Sequence, residues 1–98
     1  MKKTYQIILN ILNSKNFERS LYYYLSEDFT QNGDSKEFKT KEDALFIFNL
    51  MDKEYLNERG FLQCDVEISI EELTWPDDLE EEDVKFEILT SKIIDTAA

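Results

Sequence analysis

Between residues 62 and 71 apolar and polar side chains alternate without a break. Leu62, Cys64, Val66, Ile68 and Ile70 take one side, and Gln63, Asp65, Glu67, Ser69 and Glu71 take the other. A period of two is the side-chain repeat of a strand, so the stretch predicts a strand with one buried face and one acidic face turned to solvent. Trp75-Pro76 ends it, because proline cannot donate to a ladder. Val84, Phe86 and Ile88 repeat the alternation against Lys85 and Glu87, and this second strand is expected to pair antiparallel with the first, with residues 77–83 as the connection. Residues 92–98 continue it briefly and then fray.

A helical period takes over after Thr40. Ala44, Ile47, Phe48, Met51 and Tyr55 fall within one stripe, the expected core face of a single helix over residues 40–59. Thr40 is its N-cap, Asp43 can reach back in a box-like manner, Glu42 and Asp43 suit the positive end of the dipole, and Gly60 is the stop. Phe46 and Leu50 lie on the far side, near Lys53 and Asn57. Either another segment of the chain covers that pair, or it is a surface for a partner or for a second copy of the chain, a route to a homo-oligomer.

The N-terminal part is less decisive. Residues 4–12 fit a strand alternating through Tyr5, Ile7, Leu9 and Ile11 and equally a helix face through Tyr5, Ile8, Leu9 and Leu12; their β-branched content favours strand. Asn13-Ser14-Lys15-Asn16 is a turn in either case. Residues 21–29 form a half-buried strand in which Tyr23 shares a face with Leu21 and Leu25, while Tyr22 and Tyr24 point the other way. Asn32-Gly33 then turns a hairpin into Lys36-Glu37-Phe38. These elements add up to one α+β domain over residues 1–98, an antiparallel sheet of four to five strands with one principal helix packed on one face.

Charge changes this picture of an ordinary small domain. The chain of 98 residues has a net charge of −11, and its halves differ sharply. Residues 1–60 hold ten acids and nine bases. Residues 61–98 hold Asp65, Glu67, Glu71, Glu72, Asp77, Asp78, Glu80, Glu81, Glu82, Asp83, Glu87 and Asp95 against only Lys85 and Lys92, a net charge of −10. Such a field repels nucleic acid and anionic membranes, whose binding depends on cationic side chains, and it attracts basic proteins. With 42% hydrophobic residues the chain is nonetheless too apolar for a disordered acidic tail. The lone Cys64 fits a reducing, cytoplasmic setting, and in the apolar register it is expected to be buried and inert. No stretch approaches the length of an apolar membrane span.

Chemistry is poorly served. The sequence has no histidine, which removes the commonest general base and metal ligand, and a single cysteine cannot build a zinc site. Asp28, Thr30, Asn32 and Gly33 match the first half of a calcium loop, but Lys39 stands where the bidentate glutamate belongs. No enzymatic activity, cofactor or metal is expected. The acids from Asp65 to Glu87 are the candidate partner-binding residues. On one strand face they are spaced about 6.8 Å apart, too sparse for the charge density of DNA, so Asp65, Glu67 and Glu71 must act with Glu87 on the neighbouring strand and with the 77–83 run.

A short, histidine-free chain with this charge and a carboxylate-lined strand beside an Asp/Glu run resembles the small acidic inhibitors of phages and mobile elements, anti-CRISPR proteins and DNA mimics among them. Acidic immunity proteins that neutralise nuclease toxins are similar in kind. The resemblance rests on size, charge and the composition of residues 61–88, and it implies a stoichiometric inhibitor that occupies the nucleic-acid site of a basic enzyme or effector. A non-catalytic interaction module is the alternative.

Overall fold

The computed structural model describes residues 2–14, 22–25, 29–30, 36–61, 63–76 and 84–96, with only the backbone for residues 13, 14, 22, 24, 29 and 30. Three long strands carry the sheet: β1 (Lys2–Ser14), β4 (Cys64–Trp75) and β5 (Lys85–Asp95). Two short ones, β2 (Tyr22–Leu25) and β3 (Phe29–Thr30), extend it, and the order is β3-β2-β1-β4-β5 with antiparallel pairing throughout. The longest dimension, 45 Å, is close to the length of a 13-residue strand such as β1.

Strand β1 settles the ambiguity of residues 4–12. Ile7 stands opposite Ile70, Leu9 opposite Ile68 and Ile11 opposite Val66, and all six side chains are buried. Directly opposed β-branched and aliphatic pairs are the unit of sheet stabilisation, and full burial contributes about 1.5–3 kcal/mol for each such side chain. A helix could not present Ile7, Leu9 and Ile11 to one partner. The strand also runs past the expected turn, since Asn13 and Ser14 still pair with Asp65 and Cys64 after a bulge at Leu12.

The helical segment is two helices rather than one: α1 (Lys41–Leu50) and α2 (Lys53–Glu58). Thr40 caps α1 as expected, its hydroxyl accepting the Asp43 N–H at 3.2 Å. The break comes from a second cap. Asp52 Oδ1 accepts the Tyr55 N–H at 2.8 Å, and Met51 adopts an extended backbone that buries its side chain. In a continuous helix Leu56 would stand about 125° from the centre of the apolar stripe. The break re-aims it, and Leu56 becomes fully buried beside Ala44, Phe48 and Met51. Gly60 closes α2 with φ +89, while the Phe61 N–H donates to Leu56 O and the Gly60 N–H to Asn57 O, the two bonds of a Schellman turn. Phe61 then enters the core edge-on to Tyr23, with ring centroids 5.2 Å apart.

The hairpin differs too. Phe29 pairs back on Leu25, so residues 21–29 are not one continuous strand. Phe38 instead bridges Tyr5, each donating its N–H to the other's carbonyl. Asn32-Gly33, like Leu21, lies outside the described residues. So does Leu62, and β4 begins at Cys64 after Gln63 takes a positive φ.

Candidate protein-binding face

Helices α1 and α2 cover one face of the sheet, the face of Ile7, Ile68 and Cys64. Strict alternation along β4 therefore sends Asp65, Glu67, Ser69, Glu71, Leu73 and Trp75 to the opposite face, open in the sense that no described helix covers it. The cross-strand partners there are Asn10, Ile8, Gln6 and Thr4 of β1 for Glu67, Ser69, Glu71 and Leu73 respectively. On the β5 side, Asp95, Ile93 and Ser91 stand opposite Asp65, Glu67 and Ser69; after a bulge, Ile88 and Phe86 stand opposite Glu71 and Leu73.

The bulge decides what β5 presents. Thr90 pairs with Ile70 and Ile88 with Glu71, so Leu89 is one residue more than β4 can match. An unbroken strand would put Phe86 and Ile93 on opposite faces. The extra residue puts Phe86, Ile88, Ser91, Ile93 and Asp95 on the same one. Phe86, Ile88 and Ile93 are 61%, 50% and 64% exposed, so the alternation of Val84, Phe86 and Ile88 does not mark a second buried face. The strand continues past Lys92 to Asp95, the brief extension that the sequence suggests.

The acids of the open face are not the freely solvated row that the alternation suggests. Asp65, Glu67 and Glu71 are half-buried. The Gln6 amide donates to the Glu71 carboxylate, and the Trp75 indole N–H donates to Thr4 Oγ1 at 2.8 Å, which ties the β1 border of the face together. Thr4, Gln6, Ser69 and Leu73 are buried there.

Of the predicted partner-binding residues, the structure brings Asp65, Glu67 and Glu71 together on this face. Glu87 does not join them. It pairs across the strands with Glu72 on the helix side, where Glu72 is held by Lys3 at 3.3 Å and by the Tyr5 hydroxyl. Burial, reinforced by that bond to Glu72, pushes the Tyr5 phenol above its ordinary range. Asp77, Asp78, Glu80, Glu81, Glu82 and Asp83 lie outside the described residues. Sequence reasoning missed the apolar border of Phe86, Ile88 and Ile93, since no residue type announces the bulge at Leu89.

Phe46 and Leu50 are 66% and 53% exposed, so no described segment covers them. Phe46 borders a shallow groove of about 350 Å³ on the helix side, shared with Lys36, Glu37, Phe38, Lys39, Asp43 and Ile47. Lys92 reaches back under α1: its ammonium donates to Phe48 O at 2.6 Å and lies 4.5 Å from the centre of the Phe48 ring. Burial lowers its pKa. Among the described residues no helix is long and apolar enough to cross a membrane.

No family model, curated protein or solved structure matches the chain.

Proposed function

We propose that this chain is a non-catalytic inhibitor that binds a basic, nucleic-acid-handling protein and competes for its nucleic-acid site. The observation that carries the reading is the placement of twelve acids against two bases in residues 61–98. The structure adds a surface on which part of that charge can be used. Asp65 and Glu67 sit on a sheet face that no described helix covers, next to the exposed apolar border of β5. An apolar patch beside charge suits a protein partner, because burial supplies affinity while the acids set orientation and association rate. Glu71 and Glu72 are already engaged by Gln6 and Lys3, which leaves Asp65 and Glu67 as the described acids best placed to meet a cation.

The test has two stages. Proteins retained on the immobilised chain at low salt are identified, and the recovered partner is then assayed for nucleic-acid binding with and without the chain. The expected result is a basic protein whose nucleic-acid complex is displaced, with affinity falling steeply as salt rises. Asp65→Lys with Glu67→Lys should weaken binding at least tenfold, while Glu42→Lys leaves it unchanged. A partner that keeps its nucleic acid, or retention indifferent to salt, would sink the reading.

A further inference from the structure

The outer edge of β5 has no neighbour among the described residues, although the strand is eleven residues long and carries three exposed apolar side chains. Natural sheets protect such an edge with charges, bulges or short length, because its free N–H and C=O groups template another strand. Here the exposed apolar side chains and the bulge are arranged so that one particular strand fits them.

Two antiparallel copies related by a two-fold axis pair residues whose numbers have a constant sum, and opposed residues must share a face. The bulge at Leu89 sets Phe86, Ile88, Ser91 and Ile93 on the open face and Glu87 and Lys92 on the other. Of the three central registers only one keeps the faces matched throughout. The first sets Ile88 against Leu89, which packs on the helix side, and the second sets Phe86 against Asp95 and Thr90 of the helix side against Ser91 of the open face. The third, centred between Leu89 and Thr90, sets Phe86 against Ile93, Ile88 against Ser91 and Glu87 against Lys92, each occurring twice. Phe86 and Ile93 cover each other at both ends, while Lys92 stays bound beneath α1 at Phe48 and the contact rests on the apolar pairs and the backbone. In this register the two bulges also lie opposite each other, so a device that would defeat a straight foreign strand is matched by its own copy.

From this self-complementarity we infer that β5 is the dimer interface of the protein, pairing edge to edge with β5 of a second copy to continue the sheet across the two-fold axis. Strands of this length supply about ten inter-strand hydrogen bonds, the number an ordinary protein interface carries. Each copy is strongly acidic, so mutual repulsion opposes the contact and added salt relieves it. Dimerisation therefore strengthens with salt, the opposite of the charge-led partner binding proposed above, and the two ideas fail separately.

Sedimentation of the full chain across a concentration series at low and high salt tests the state of association. A dimer that tightens with salt is expected. Ile93→Lys, at an exposed position where the circular dichroism spectrum is expected to stay that of the parent, should weaken it at least tenfold by facing Phe86 with a charge. The register is checked by mixing the Ile88→Cys and Ser91→Cys chains under oxidising conditions, where a disulfide-linked dimer should form across the pair that this register opposes. A chain that stays monomeric at every concentration and salt, or a dimer whose mixed variants fail to cross-link, would overturn the inference.

Discussion

At the scale of single residues, the end of the chain is fastened to the start of β4 by one threonine. Thr96 Oγ1 accepts the Cys64 N–H at 3.0 Å and lies 3.1 Å from Cys64 O, its acceptor, while the Thr96 N–H reaches the same carbonyl at 2.9 Å. The hydroxyl also lies 3.5 Å from Cys64 Sγ, so the buried thiol is walled in by the residue that holds its backbone. Thr96→Val keeps the shape and strands the Cys64 N–H without its acceptor, which should destabilise the fold by about 1–3 kcal/mol. Thr96→Ser should stay near the parent. Urea denaturation measures both, and native-state labelling of Cys64 by a thiol reagent should accelerate only in the valine variant. Equal stability of all three chains would show that the clasp contributes nothing.

At the scale of elements, the helical layer depends on two local devices that act on α2 from either end. Asp52→Ala removes the carboxylate that accepts the Tyr55 N–H and should cost about 1 kcal/mol. Gly60→Ala meets no atom within 4 Å, so any loss there comes from the backbone at φ +89 and should be about 1–2 kcal/mol. Denaturation midpoints for the two variants check this, and the double variant should show near-additive loss. The same elements show what a sequence can disclose. Thr40, Gly60 and the alternation of Cys64, Val66, Ile68 and Ile70 are local signals with local consequences, so they were legible. The break at Met51 was not, because Asp52 is an ordinary helix-surface residue until Leu56 needs to reach the core. The same limit hid the orientation of β5. Its apolar residues look like a buried set, and only the pairing with β4 shows that Leu89 is in excess and that Phe86 and Ile88 face outward.

At the scale of the whole molecule, two half-buried ionisable groups give stability opposite slopes on the alkaline side. Burial lowers the Lys92 pKa, so the unfolded chain binds the extra proton between the folded value and the ordinary 10.5, and stability rises with pH through that window. Tyr5 is raised above its ordinary 10.0 by burial and by its bond to Glu72, so the stabilisation is complete below 10.0 and is lost as pH climbs through the folded value. Urea midpoints between about pH 8 and 11 should therefore rise and then fall. Lys92→Met should flatten the rise, and Tyr5→Phe the later fall; a parent profile without curvature would contradict both assignments. The charge asymmetry was the part of the candidate site most open to sequence reading, since counting acids needs no fold. Which of them share a face did need one, because Glu87 turned away from Asp65 and Glu67. The sheet order has a further consequence, in time. Strand β1 lies at the centre, yet its partners in β4 follow it by fifty residues at Ser14–Cys64 and seventy-three at Lys2–Trp75. At a synthesis rate of about 5–20 residues per second, the ribosome delivers them only after roughly 3–15 seconds. Throughout that interval β1 can close only against β2, at Ile8–Asn10, so the other edge of the sheet's middle strand, with Ile7 and Ile11, stands without the partners Ile70 and Val66 that will face it.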